Sequence, residues 1–380
     1  MKIEQKKWSE AKGWQTTFSE FAQNDNADFV LAFGDRFILE TEERFQELKH
    51  LYPNAHIALS STSGNIVGLN IEDLSIIATS IVFEKDSHIE IQRININEVA
   101  NSFEAGESVG NRLHKDGLKH IFLLSDGHLV NGTELVKGLL STVPITTLVT
   151  GGLAGDGTRF EKTIVGVDAP PKVGEIIVVG FYGSHLRFGV GSMGGWDPFG
   201  IERKITKSSG NILYELDGKS ALELYKKYLG DQSKDLPGSA LLFPLAIRPN
   251  LTAEPLVRTI LGINEEEQSM VFAGDVPEGW YAQLMKANFD RLVDGAIEAA
   301  SLSYEMIGNE SPELAVLISC VGRRNVLDQR TEEEIEGVRD VIGNAKIIGF
   351  YSYGEIAPTR MGTGCELHNQ TMTITTISER

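Results

Sequence analysis

Apolar positions fall in short runs that recur in one order three times along the chain. Asp28 to Phe33, His120 to Ser125 and Leu314 to Cys320 are each brief apolar stretches bounded by turn residues, the pattern of a buried strand. After each comes a helical spacing of apolar side chains: Phe45/Leu48/Tyr52, Leu135/Val136/Leu139/Leu140 and Ile335/Val338/Val341/Ile342. Thr41, Asn131 and Thr331 stand where an N-cap is needed; Thr331 with Glu334 reads as a capping box, and Asn131 with Glu134 approximates one. Second strands follow at Ala55 to Ser60, Ile145 to Thr150 and Lys346 to Tyr351, and third strands at Leu74 to Phe83, Glu175 to Phe181 and Thr371 to Ile377. Between them lie the turns Ser63-Gly-Asn65, Gly151 to Gly157 and Tyr353-Gly-Glu355.

A repeated strand-helix-strand-strand module predicts an α/β protein with mixed sheets flanked by helices. A longer helix is expected over Met285 to Ala300 ahead of the third module, with weaker versions at Trp14/Phe18/Phe21 and Val99/Phe103. A distinct stretch separates modules two and three, with a helix at Ala221 to Leu229 and strands at Leu241 to Ile247 and Met270 to Ala273. The expected division lies near Asp217, giving domains 1–216 and 217–380.

The 53 acidic against 35 basic side chains give a formal charge of -18, which would repel a phosphate backbone, so nucleic acid is not an expected partner. No apolar stretch nears the roughly 18 residues of a spanning helix, and the start of the chain lacks a secretory pattern. Two cysteines, Cys320 and Cys365, are too few for a disulfide framework. These features lead to the expectation of a cytoplasmic chain away from membranes.

Several motifs fail for physical reasons. Gly189-Val-Gly191-Ser-Met-Gly194 has dinucleotide spacing, but Trp196-Asp197-Pro198 follows where a helix should start. The Gly151 to Gly157 turn lacks the Lys-Ser/Thr ending of a P-loop. Gly349 to Gly354 is one residue too long for a nucleophile elbow. Cys365 and His368 have no second ligand pair for a structural zinc, so no metal is expected.

Polar groups concentrate at strand ends of the third module: Cys320, Arg323, Tyr351, Tyr353, Glu355, His368 and Asn369. Arg258 and Asp275 are charges embedded among apolar residues, a costly placement unless they are paired or hold a charged ligand. Each has a plainer role open to it: an inert buried cysteine, solvated arginines, tyrosines in core packing, a turn carboxylate, and a His-Asn pair serving local backbone.

At these residues the chain resembles the FIST family, through Gly151-Gly-Leu-Ala-Gly-Asp156, Asn211-Ile-Leu-Tyr-Glu-Leu-Asp-Gly218, Ile318-Ser-Cys-Val-Gly-Arg323, Gly349-Phe-Tyr-Ser-Tyr-Gly-Glu355 and Glu366-Leu-His-Asn-Gln-Thr371. The resemblance implies an intracellular sensory module for small ligands such as amino acids. Relatives are often fused to output domains; none is evident here, so the signal would pass to a separate protein. Some stand-alone relatives are haem proteins that sense nitric oxide and regulate a partner histidine kinase. For that alternative His368, Tyr351 and Cys320 are axial candidates by type. The family's F-box ubiquitin-ligase role has no F-box segment here to support it.

The leading expectation is a sensor without cofactor. Arg258 and Arg323 would grip a carboxylate, Glu355 or Asp275 would meet an ammonium group, and Tyr351, Tyr353, His368 and Asn369 would orient the ligand. An enzymatic alternative makes Cys320 a thiolate nucleophile with His368 as base, which requires the two within hydrogen-bond reach.

Overall fold

The computed structural model describes residues 1–22, 26–358 and 364–380. Module one is the strand Phe29–Gly34, helices α1 (Arg36–Leu39) and α2 (Glu42–Leu51), and strands His56–Ser61 and Ser75–Val82. Module two opens with helix α3 (Ser102–Arg112), then Leu118–Ser125, α4 (Gly132–Leu140), Leu148–Leu153 and Glu175–Tyr182. In both, the first strand lies between the second, parallel to it, and the third, antiparallel. Helices cover one face and the molecular core the other, which is why these central strands are apolar on consecutive residues instead of alternate ones.

An insert interrupts the third repeat. Residues 197–286 form an eight-stranded sheet with helix α5 (Ala221–Leu229) against it, around a separate core containing Ile205, Leu213, Tyr225 and Phe272. Asp217 and Gly218, both at positive φ, turn the hairpin between Ile212–Leu216 and Lys219–Ser220, so the expected division falls within this insert. Module three resumes with α6 (Phe289–Met306), Leu314–Cys320, α7 (Val321–Leu327), α8 (Thr331–Ile342), Lys346–Ser352 and Met372–Glu379, with the same parallel and antiparallel pairing.

The three sheets are joined by exchanged strands. Asn65–Val67, which follows the second strand of module one, pairs with Lys346–Ser352 of module three. Gly354–Pro358 of module three pairs with Leu148–Leu153 of module two. Val165–Val167 of module two pairs with His56–Ser61 of module one. Each module gives a strand to one neighbour and takes one from the other, and the ring closes. The far edges are equivalent too: Lys2–Ser9, His88–Asn95 and Leu186–Met193 each pair with a third strand. The sheets turn their inner faces to one shared apolar core, where Phe33 of module one meets Phe350 of module three at 4.6 Å between ring centroids.

Four local expectations need correction. Gly13–Ser19 is a strand paired with Lys2–Ser9, not a helix. Trp14 and Phe18 are four apart, which shares a face in either geometry, and the intervening threonines favour the strand. Met285 belongs to the strand Tyr281–Lys286, and α6 starts only after Asn288 caps the N–H of Arg291. Leu241 lies in the 3-10 turn Gly238–Leu242 ahead of the strand Leu245–Arg248. Asn131 does cap α4, accepting from Glu134 N at 3.2 Å, but the box at Thr331 does not form. Thr331 is the first residue of α8, its hydroxyl donates to Asp328 O at 2.5 Å, and Glu334 turns inward.

The failed dinucleotide motif has another use. A Cβ at Gly189 would stand 1.9 Å from Ser303 O, and one at Gly191 1.9 Å from Ala299 O. These glycines let the backbone of α6 lie directly on the strand Leu186–Met193.

Candidate functional site

Three equivalent turns follow the second strands: Gly64-Asn65, Gly155-Asp156 and Gly354-Glu355. All three polar side chains are buried and fasten the chain on its way to the third strand. Asn65 donates to Ser75 O at 3.1 Å, Asp156 accepts from the N–H groups of Phe160, Glu161 and Lys162, and Glu355 accepts from Thr371 N at 3.1 Å and from the Thr371 and Ser352 hydroxyls. Burial lifts the Glu355 carboxyl to about 8. Glu355 is therefore a turn fastener whose oxygens are taken by the Thr371 N–H and by the Thr371 and Ser352 hydroxyls, not an ammonium partner.

Arg323 is likewise internal. Its guanidinium, wholly buried, bonds Glu334 from Nε at 3.2 Å and from Nη2 at 2.8 Å, Leu292 O at 2.7 Å, and Gly194 O. The other oxygen of Glu334 accepts from Tyr351 OH at 3.0 Å and Ser319 Oγ at 3.2 Å. This network ties α7 to α6, α8 and two strands, and leaves neither Arg323 nor Tyr351 free to grip a ligand. The sequence-based pairing of Arg258 with Arg323 on one carboxylate is thus overturned, because Arg323 spends its donors on Glu334 and two main-chain carbonyls.

The remaining third-module candidates divide in the same way. Cys320 is 2% exposed, and burial, with the nearby Glu355 charge, pushes its thiol upward. His368 sets Nε2 3.2 Å from Ala357 O, and burial with the Arg258 charge holds it down at about 4. The Cys320 thiol is thus buried, and one ring nitrogen of His368 faces main chain. Asn369 is buried with neither amide atom bonded to another described residue.

Arg258 differs from Arg323. It ends the short strand Leu256–Arg258, is 3% exposed, and donates from Nε to Asp275 O at 3.1 Å and from Nη1 to Leu367 O at 2.9 Å. Among the described residues no carboxylate forms an ion pair with it. Burial draws its pKa down to about 10, against the charges of Glu366 and Asp275. It lines a cavity of about 240 Å³ with Thr133, Lys137, Asp275, Trp280, Glu366 and others. Thr133 lies in the first turn of α4, whose N–H groups add positive potential there. Asp275 accepts from Asn131 Nδ2 at 3.1 Å and sits 3.6 Å from Lys137 Nζ, which clasps the insert to module two. Glu366, raised by burial, is the second acid of the cavity.

A cavity of about 310 Å³ adjoins this one, lined by Leu129, Leu153, Phe160, Leu261, Tyr353 and Leu367 among others. Tyr353 hydrogen-bonds Asp156 and Gly157 O through its hydroxyl and stacks on Phe160 at 4.6 Å. Of the sequence candidates, the structure gathers Arg258, Asp275 and Tyr353 along this cleft and leaves the others in the interior of module three. Sequence reasoning missed Lys137, Phe160, Trp280 and Glu366, which carry no signature beyond ordinary helix, turn and strand composition.

Residues 28–219 match the family model described as the FIST N domain, and residues 221–358 match the FIST C domain. An uncharacterized protein of Methanocaldococcus jannaschii is 27% identical over 268 residues, covering 62% of this chain and 49% of that one. An uncharacterized protein of Mycobacterium tuberculosis is 24% identical over 246 residues, 62% of each chain. The matched region thus spans about half the length of the first relative and under two thirds of the second. The crystal structure of a cyanuric acid hydrolase from A. caulinodans aligns at 11% identity with a TM-score of 0.19, over 77% of this chain and 99% of that one. That likeness is too slight to carry an argument about fold or activity.

Proposed function

The chain belongs to the FIST family, and on that premise we propose that it binds a free α-amino acid in the cleft beside Arg258 and reports it to a separate signalling protein. FIST domains are small-ligand sensory domains of signal transduction. The observation that carries the reading is Arg258: a guanidinium 3% exposed, on a cavity, bonded to main-chain carbonyls and with no carboxylate among the described residues in an ion pair with it. The charges of Glu366 and Asp275 act on this cation from within the cavity without direct contact, which leaves its cavity face open to a closer partner. A ligand carboxylate at the cavity face of Arg258 supplies one, reinforced by the N-terminus of α4. Glu366 and Asp275, lining the same cavity, are placed to receive an ammonium group.

Binding without turnover is part of the proposal, since the thiol of Cys320 is held neutral. Because the cleft lies between module two and the insert, a ligand there touches both sides of the Asn131–Asp275 clasp. A histidine kinase is the kind of partner that would read such a change. No helix among the described residues is long and apolar enough to cross a membrane. Isothermal titration of the purified chain against the common amino acids tests the reading. Saturable heat with at least one of them is expected, and loss of it in Arg258→Met; silence across the whole panel at millimolar concentration rejects it.

A further inference from the structure

The walls of the Arg258 cavity are hydrocarbon on both sides of the boundary between insert and modules. Leu256, Pro277 and Trp280 come from the insert and are half-buried; Val136, Cys365 and Leu367 come from modules two and three and are buried. Most of the polar groups on the same cavity are already engaged. Lys137 pairs with Glu134 at 2.7 Å and Asp275 at 3.6 Å, Asp275 also accepts from Asn131, and the Cys365 thiol donates to Val149 O at 3.3 Å. What remains for a ligand is the cavity face of Arg258, the Glu366 carboxyl and the Thr133 hydroxyl, which has no hydrogen-bond partner among the described residues.

The head of an α-amino acid uses up that set, its carboxylate on Arg258 and Thr133 and its ammonium group on Glu366. No polar group is left over for a side chain, and a polar one laid against the remaining walls would go unsatisfied. The adjoining cavity is of another kind: His128, Asn131 and Asn211 line it, and the His128 ring stands edge-on to Tyr353 with centroids 6.0 Å apart. Hydrocarbon placed there would strip water from polar groups, so the Arg258 cavity is the better seat for it. At about 240 Å³ that cavity has room for on the order of eight waters, which suits a charged head together with a short side chain.

We infer that the ligand is an amino acid with a compact apolar side chain, held in the Arg258 cavity together with its head and resting on Leu256, Pro277 and Trp280. This rests on the amino-acid reading above and narrows it. Glycine leaves those walls uncovered, aspartate brings a second carboxylate among Glu366 and Asp275, and valine or leucine covers the walls. Burial of each methylene is worth roughly a fourfold gain in affinity, so leucine should bind more than about thirtyfold tighter than glycine.

The experiment is calorimetric titration of the full chain with glycine, aspartate, valine and leucine, on the wild type, on Leu256→Thr and on His128→Ala. Threonine keeps a strand-forming residue in Leu256–Arg258 while removing hydrocarbon from the cavity wall. His128 is exposed and lines only the adjoining cavity. The expected result is valine and leucine far ahead of glycine and aspartate. Leu256→Thr should weaken leucine about tenfold and leave glycine within about twofold, and His128→Ala should change neither. If glycine or aspartate binds as tightly as leucine, if Leu256→Thr weakens both alike or neither, or if His128→Ala weakens leucine selectively, the inference is overturned and the amino-acid reading stands. The ranking on the wild type decides by itself should Leu256→Thr not fold. If none of the four binds to the wild type, the amino-acid reading fails and takes the inference with it.

Discussion

Replacing Glu334 by glutamine keeps the shape of the network around Arg323 and deletes only its negative charge. Arg323 then remains wholly buried with two main-chain carbonyls, Leu292 O and Gly194 O, and a neutral amide as acceptors. A guanidinium cannot shed its proton at ordinary pH, so the full cost of an unpaired interior cation falls on the folded state, about 3–5 kcal/mol. Arg323→Met removes the other partner, but a lone glutamate can take up a proton and keep its bonds to Tyr351 and Ser319. Its cost should be smaller, toward about 2 kcal/mol of lost hydrogen bonding. A double variant, Arg323→Met with Glu334→Leu, should lose less than the sum of the two. Urea unfolding of the four proteins at pH 7 measures all three differences. The argument is refuted if Arg323→Met unfolds at the wild-type urea concentration while losing ligand affinity, because Arg323 would then serve the ligand and not the fold.

Arg258→Met should behave in the opposite way: a loss of about 2–5 kcal/mol in amino-acid affinity with an almost unchanged urea midpoint, since relief of the burial cost of a cation that makes no direct ion pair among the described residues offsets the lost hydrogen bonds. Glu355 makes stability depend on pH. Its folded carboxyl sits at about 8 against 4.5 for an ordinary glutamate, so its contribution is complete below pH 4.5 and declines by about 1.4 kcal/mol per pH unit until about pH 8. Glu355→Gln should lack that slope when urea midpoints at pH 5.5 and 7.5 are compared, and an unchanged slope would assign it elsewhere. Gly191→Ala drives a methyl into the backbone of α6, 1.9 Å from Ala299 O, and should cost about 3 kcal/mol or more, seen as a lower melting temperature; a wild-type value would contradict the close approach. Cys320 and Cys365 are both buried with thiols raised by burial. Neither should react with a disulfide reagent until the chain unfolds.

The central strands were legible because covering both faces forces consecutive apolar residues, as in Leu314 to Cys320. Who pairs with whom was not. Asn65–Val67 and Val165–Val167 are three residues long, too short for periodicity to register, yet they join the modules. The site shows the same limit more sharply. Arg258 and Arg323 look alike in sequence, each a cation among apolar neighbours. What separates them is Glu334, which reads as half of a capping box and instead turns under α8 to meet Arg323. Among the described residues no acid pairs directly with Arg258, Glu366 and Asp275 acting on it only across the cavity, and only the folded chain reveals the difference. Asp275 was recognisable by the cost of its apolar context, whereas Glu366 alternates inconspicuously between Cys365 and Leu367.

The ring of exchanged strands makes the two family halves a single folding unit. Cut between them, the piece ending near residue 220 would keep Val165–Val167 in place but would lack Gly354–Pro358, and the edge of Leu148–Leu153 would stand bare. Its own Asn65–Val67 would dangle with no host. Either fragment made alone would carry open hydrogen-bonding rims of the kind that recruit other chains. Co-production of both pieces, by contrast, offers each rim its missing complement, so the split chain is a natural scaffold for a reconstitution sensor.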